Sequence, residues 1–256
     1  MDLKGRSAIV TGSSSLTGIG AETVQALASK GCNVVINYAT NEEGAHATAK
    51  ACAQHGVDTL VVQGDVTVDA DCRRMVKEAS DRWGRLDFLV NNAATTKPIP
   101  LNDLEALSGE EFHRTYDVNV VGTFQMTRAA APALRETGNA AVVNISSIGA
   151  FLGSGSSIAY SVSKGALNTL TVSLARVLAP EVRVNALCPG GLLGNWTRKI
   201  TTEEEYQRRV QAAETDFPLR RPVWPKDVAR LALWLCEDGN TMTGEAFRMD
   251  SGQHLG

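Results

Sequence analysis

The stretch Ser7-Ala8-Ile9-Val10-Thr11-Gly12-Ser13-Ser14-Ser15-Leu16-Thr17-Gly18-Ile19-Gly20 decides how this chain is read. Residues 7–10 form a short apolar run closing on Thr11-Gly12, the pattern of a strand buried in a parallel sheet. Residues 21–29 then carry Val24, Leu27 and Ala28 at helical spacing and stop at Gly31. Strand, glycine-rich turn and helix, in that order, are the setting of a dinucleotide-binding fingerprint. Glycine lets the backbone turn tightly and approach a pyrophosphate. The helix N-terminus adds unpaired N–H groups and the positive end of its dipole.

Outward from this unit, strands and helices alternate. Strands are predicted over residues 33–37, 59–63, 88–90, 141–145, 182–187 and 246–249. Helices are predicted over 41–54, 69–83, 110–135, the Tyr160 segment up to residue 178, and 227–237. The 110–135 helix is expected to bend near Asn119 or Gly122. Residues 95–107, with Pro98 and Pro100, read as a loop. Residues 192–217 form an excursion with a charged helix over about 203–214; long excursions of this kind tend to be lids or disordered segments, and a substrate lid is expected. The alternation predicts an α/β fold: a single-domain, Rossmann-type doubly wound parallel sheet of about seven strands, with helices on both faces.

The chain has 256 residues, 43% of them hydrophobic, and a formal net charge of −3. That length can bury a full core. The mild charge favours neither nucleic acid nor an anionic membrane surface as partner. No apolar run approaches the roughly 18 residues that span a bilayer. The first residues enter a strand without the apolar region of a secretory signal, so a cytoplasmic location is expected. Cys32, Cys52, Cys72, Cys188 and Cys236 stand singly, as do His46, His55, His113 and His254. Neither a metal site nor a disulfide framework is expected from such spacing. Buried free thiols in a reducing compartment fit instead.

In Ser157-Ile158-Ala159-Tyr160-Ser161-Val162-Ser163-Lys164, a tyrosine and a lysine stand four residues apart at the head of an apolar-periodic segment. On a helix they share one face, about 5–6 Å apart at Cβ. A free phenol has a pKa of about 10. A neighbouring ammonium favours the phenolate, which makes the tyrosine a usable proton donor and acceptor.

Taken together, the motifs resemble the short-chain dehydrogenase/reductase family, in the subgroup of 3-oxoacyl carrier-protein reductases. The resemblance rests on Thr11-Gly12 with Gly18-Ile19-Gly20, Asp65-Val66, Asn91-Asn92-Ala93, Asn119, Asn144-Ile145-Ser146-Ser147, Tyr160 with Lys164, and Pro189-Gly190. It continues through Pro218-Leu219-Arg220-Arg221, Asp227-Val228-Ala229, Thr243-Gly244 and Asp250 with Gly252. It implies hydride transfer between NAD(P) and a small-molecule carbonyl or secondary alcohol. Tyr160 would be the general acid or base. Lys164 would depress its pKa and hold the nicotinamide ribose, Ser147 rather than Ser146 would bond the substrate oxygen, and Asn119 would stabilise a helix break and hold a water in a proton relay behind Lys164. Gly12, Ser14, Gly18, Ile19, Asp65, Val66, Asn91, Ala93, Pro189 and Gly190 would line the cofactor cleft. Phe151 and Trp196 would wall the substrate pocket, together with Thr95, Thr96, Leu152 and Leu192. A homotetramer is implied, with helices 110–135 and 160–178 pairing across one interface.

The sequence departs from the family pattern at informative places. Five residues, Ser13 to Thr17, separate Gly12 from Gly18 where three are usual. This resembles the divergent enoyl-reductase branch. That branch places its tyrosine seven positions before the lysine, where Ser157 stands, so a carbonyl reductase is expected. Ala94 replaces the usual glycine. Gly194 stands where a threonine meets the nicotinamide carboxamide, leaving that contact to Thr197 or to backbone. The end of the second strand, Asn37-Tyr38-Ala39-Thr40-Asn41, has no acid to hold a ribose 2′-hydroxyl, which favours NADP over NAD. No arginine or lysine stands there either. The rival reading is a catalytically silent dinucleotide-binding regulator, which would be expected to lack the serine, tyrosine or lysine.

Overall fold

Strands β1 (Ser7–Val10), β2 (Asn33–Tyr38), β3 (Thr59–Gln63), β4 (Phe88–Asn91), β5 (Ala140–Ile145), β6 (Val182–Pro189) and β7 (Ala246–Met249) build one sheet. The computed structural model describes residues 2–237 and 241–256. The sheet order is β3-β2-β1-β4-β5-β6-β7, with every pairing parallel. The order reverses between β1 and β4, and open α/β sheets bind ligands outside the carboxyl ends of strands at such a point.

Alternation along each strand assigns the two faces. Ala8 and Val10 of β1 pack with α1 (Ile19–Ala28), α2 (Glu42–Ala53) and α10 (Pro225–Cys236). Ile9 points the other way, toward α3 (Asp69–Trp83), α5 (Thr123–Glu136) and α7 (Ile158–Leu178). Both faces are covered, which is why the central strands read as continuous apolar runs.

Boundaries shift where local chemistry overrides periodicity. Helix α1 begins at Ile19 rather than 21, with Gly18 extended as its cap. Helix α10 begins at Pro225 rather than 227, because the fixed φ of proline suits a first turn. The predicted 110–135 helix is interrupted as expected. It runs as α4 (Gly109–Tyr116), a wider π-helical segment (Asp117–Gly122) and α5. Gly122 explains where the bend presses inward: a Cβ there would lie 2.6 Å from Val66 Cγ2. Two short helices escape the pattern, α6 (Gly149–Leu152) and α8 (Asn195–Ile200), each too short to show a period. The excursion holds α8 and α9 (Glu203–Thr215), and a Leu192–Val223 bridge ties its base.

Candidate active site

The β1–α1 turn is built around missing side chains. A Cβ on Gly20 would meet Asn92 Nδ2 at 2.6 Å, Gly12 O at 2.7 Å and Ser13 Cα at 2.9 Å. Gly12 has φ +61°, and a Cβ there would sit 3.0 Å from Ala93 Cα. The turn is also bolted to the end of β2. Asn37 Oδ1 accepts from Gly12 N (3.0 Å), and Asn37 Nδ2 donates to Gly64 O (3.0 Å). Ser13 N donates to Asn37 O (3.0 Å), and Asn41 Nδ2 donates to Ser14 O (2.8 Å). The lengthened five-residue loop is therefore an anchored one. It also accounts for the missing acid: an aspartate at 37 would lose the donor that reaches Gly64.

At the other end of the same cleft stand Ser147, Tyr160 and Lys164. Ser157 caps α7 by accepting from Tyr160 N (3.2 Å), which sets the tyrosine on the first turn. Ser147 Oγ accepts from Gly149 N (3.1 Å), and its hydroxyl stands close enough to Tyr160 to favour the phenolate. Both serines line the cleft, but Ser146 is buried and donates to Lys164 O (3.2 Å), whereas Ser147 is the more exposed. Lys164 is 2% exposed; its Nζ donates to Ile145 O (2.8 Å) and lies 5.5 Å from the Tyr160 ring centroid.

The charge balance differs from the sequence expectation. By spacing alone, Lys164 should depress the phenol. Burial instead pushes Tyr160 up to about 12, opposed by the neighbouring Ser147 hydroxyl. The same burial lowers Lys164 to about 8. Desolvation disfavours the charged form of each group and is the largest cause of both shifts.

Of two asparagines singled out by sequence, Asn119 sits in the π-helical break and Asn91 lies away from the cleft. Asn119 is fully buried. Its Nδ2 donates to Thr95 O (3.1 Å) and Ser163 Oγ (3.0 Å), and its Oδ1 accepts from Thr95 N (2.8 Å). Both side-chain N–H groups thus brace the loop after β4 against α7. Asn91 does not face the cleft. Its Nδ2 donates to Thr127 Oγ1 (3.0 Å) and Asn144 Oδ1 (2.9 Å), inside the layer between sheet and helices. The cleft residue is Asn92, whose Nδ2 donates to Thr11 O and Gly12 O, both at 2.9 Å. Strand alternation separates the neighbours, a signal present in the Asn91-Asn92 pair but unreadable without the strand's end point.

The cleft encloses about 890 Å³. Gly12, Ser14, Gly18, Ile19, Asp65, Val66, Ala93, Pro189 and Gly190 line it, as do Thr95, Leu192 and Trp196. Phe151, Leu152 and Thr96 do not. Phe151 lies on the outside, its ring 5.2 Å from the Arg248 guanidinium, and Thr96 bonds Ser156 (2.6 Å). The Thr197 hydroxyl is committed to Leu192 O (2.6 Å), so it has no proton to give a carboxamide. Gln253 also reaches the cleft, from the turn after β7, and nothing local in the sequence marks it. Among the described residues no metal-binding cluster occurs, and no helix is long and apolar enough to cross a membrane.

Comparison with known proteins agrees with this geometry. A family model described as enoyl-(acyl carrier protein) reductase matches residues 12–254. The chain is 42% identical over 248 residues to a Streptomyces violaceoruber protein named as ketoacyl reductase 2 of the granaticin polyketide synthase, covering 97% of this chain and 96% of that one. It is 31% identical to the 3-oxoacyl-(acyl-carrier-protein) reductase of Staphylococcus aureus, covering 98% of each. A structure of a short-chain type dehydrogenase/reductase from Mycobacterium ulcerans superposes with a TM-score of 0.89 at 28% identity, covering 100% of this chain and 92% of that one. A Burkholderia xenovorans chain named as a short-chain dehydrogenase/reductase gives 0.90 at 40% identity, covering 98% of each.

Proposed function

The chain belongs to the short-chain dehydrogenase/reductase family, and from that premise we propose that Tyr160 exchanges the proton in its NAD(P)-dependent interconversion of a carbonyl and a secondary alcohol. The observation that carries this reading is the convergence of Ser147, Tyr160 and Lys164 on one end of the cleft, with the buried Lys164 Nζ 5.5 Å from the Tyr160 ring centroid. The nicotinamide supplies the hydride when bound. Ser147 holds the substrate oxygen and stabilises the charge that develops there. Tyr160, a protonated phenol at neutral pH, donates to that oxygen in reduction. Lys164 uses one N–H on Ile145 O and keeps its others for the ribose hydroxyls. Gly12, Ser14, Gly18 and Ile19 hold the pyrophosphate, Asp65 and Val66 flank the adenine, and Ala93, Pro189 and Gly190 border the rest of the cofactor. Gly20 and Asn92 join this set. Asn119 positions the loop that bears Thr95. One domain spanning residues 1–256 carries the whole site, with 192–217 as its lid.

The enoyl-reductase reading has one observation in its favour, the description of the matching family model. Against it, Ser157 occupies the position a tyrosine would need and is engaged in capping α7. A ketone and its conjugated alkene, assayed side by side by absorbance of the reduced nicotinamide, separate the two. Turnover of the ketone alone is expected; turnover of the alkene alone would replace this reading.

NADPH is expected to give the higher kcat/KM. No carboxylate at the end of β2 repels a 2′-phosphate, and the hydroxyls of Ser14, Ser15 and Thr40 line that corner of the cleft. Equal or higher kcat/KM with NADH refutes the preference. The protein is expected to be a homotetramer in the cytoplasm. Val162, Val172 and Val177 on α7, and Tyr116, Val121 and Phe124 along α4 to α5, leave apolar side chains exposed on the helices expected to pair. Light scattering should return a mass near four times the 27.3 kDa chain, and a monomer contradicts the pairing.

A further inference from the structure

Two cations of the lid reach the cleft without a partner among the described residues. Arg198 locks α8 to α9: its guanidinium bonds Glu203 and lies 3.8 Å from the ring centroid of Tyr206, which is 4% exposed. Thr202 and Glu205 cap α9 reciprocally, and Thr201 Oγ1 donates to Thr197 O (2.7 Å). Lys199 and Arg209 therefore project from a braced pair of helices, and both line the cleft. Neither makes an ion pair or hydrogen bond among the described residues. Of the other cations on the cleft wall, Arg114 is held by Glu111 across one helical turn and Lys164 donates to Ile145 O at the catalytic end. Asp65 is the one carboxylate among the described lining residues, and it stands at the end of β3, on a different wall from the lid.

The lid side of the cleft is thus positive, with no carboxylate of the protein to satisfy it. A low-dielectric cleft lined by one sign of charge concentrates ligands of the other sign. An arginine fork and a lysine point charge together suit a carboxylate or a phosphate. We propose that Lys199 and Arg209 receive an anionic group carried by the substrate, remote from its reacting carbonyl. The substrate class is then an oxo acid or a phosphorylated ketone, oriented by its anion under the lid and by its oxygen at Ser147 and Tyr160. This rests on the reductase reading given above.

The test uses oxo acids of increasing chain length, each paired with its methyl ester, on the natural enzyme and on the Lys199→Ala/Arg209→Ala double variant. The KM for the best acid is expected to rise about tenfold or more, equivalent to about 1.4 kcal/mol at 25 °C. Its kcat and the KM of the ester should hold, and added salt should weaken the preference for acid over ester. Equal changes for acid and ester overturn the proposal. So does a matching loss of NADPH affinity in fluorescence titration, which assigns the cations to the cofactor's phosphates. If the natural enzyme reduces none of the ketones, the reductase reading fails separately. Calorimetric titration of the oxo acids then decides the cation pair: weaker binding in the double variant supports it, and identical binding overturns it.

Discussion

Tyr160→Phe is expected to lower turnover by about 10²–10⁴-fold, the usual contribution of a positioned general acid or base, while NADPH binds almost as before. The change removes one oxygen and leaves the ring where Lys164 Nζ lies 5.5 Å from its centroid. No described backbone hydrogen bond depends on that oxygen, so the thermal midpoint should move little. Absorbance of the reduced nicotinamide reads the turnover, and fluorescence titration reads the binding. Retained turnover would sink the role given to Tyr160. Loss of turnover and of cofactor affinity in parallel would make Tyr160 part of the cofactor seat instead. The pH dependence carries a sign. Burial holds the phenol at about 12, so the acid form persists across neutral pH and reduction needs no activation of the tyrosine. Oxidation needs the phenolate, whose population rises tenfold per pH unit below that value. Oxidation should therefore climb steeply with pH over a range in which the acid form available for reduction stays constant.

The second large effect is expected at Gly20. A methyl group there would fall 2.7 Å from Gly12 O and 2.9 Å from Ser13 Cα, both backbone atoms of the turn itself. Neither can rotate away as a side chain end could. Gly20→Ala should cost about 1–3 kcal/mol, the usual range for overpacking a close-fitted site. Cofactor affinity should fall further than stability, because the turn that must cradle a pyrophosphate is the part displaced. Gly109→Ala is the control. Gly109 opens α4, and a Cβ there would meet nothing within 4 Å, so the change should be neutral or slightly stabilising. Thermal melts and NADPH titrations of the two variants check both statements. Equal behaviour of the two would remove the steric argument for the turn.

The α/β alternation, the strand–turn–helix unit and the bend within residues 110–135 all follow from the linear chain. Apolar periodicity and glycine placement are local properties, and they survive without knowledge of distant contacts. The Tyr160–Lys164 spacing belongs to the same class, because both residues share one turn of α7. Tertiary structure decided what local pattern cannot carry. It turned Asn91 into the sheet–helix layer and Asn92 into the cleft, since the facing of neighbours in a strand depends on where pairing ends. It placed Phe151 outside, spent the Asn119 amide on Thr95 and Ser163, and brought Gln253 to the cleft from the far end of the chain. It also reversed the expected shift of Tyr160, because desolvation depends on everything packed around a group and not on its nearest charge. In the β1–α1 unit the two levels meet. The sequence alone determined that Ser7 to Gly20 would bring a glycine turn to the head of a helix. Only the fold showed that Asn37 and Asn41 anchor the longer loop, through hydrogen bonds from residues more than twenty positions away.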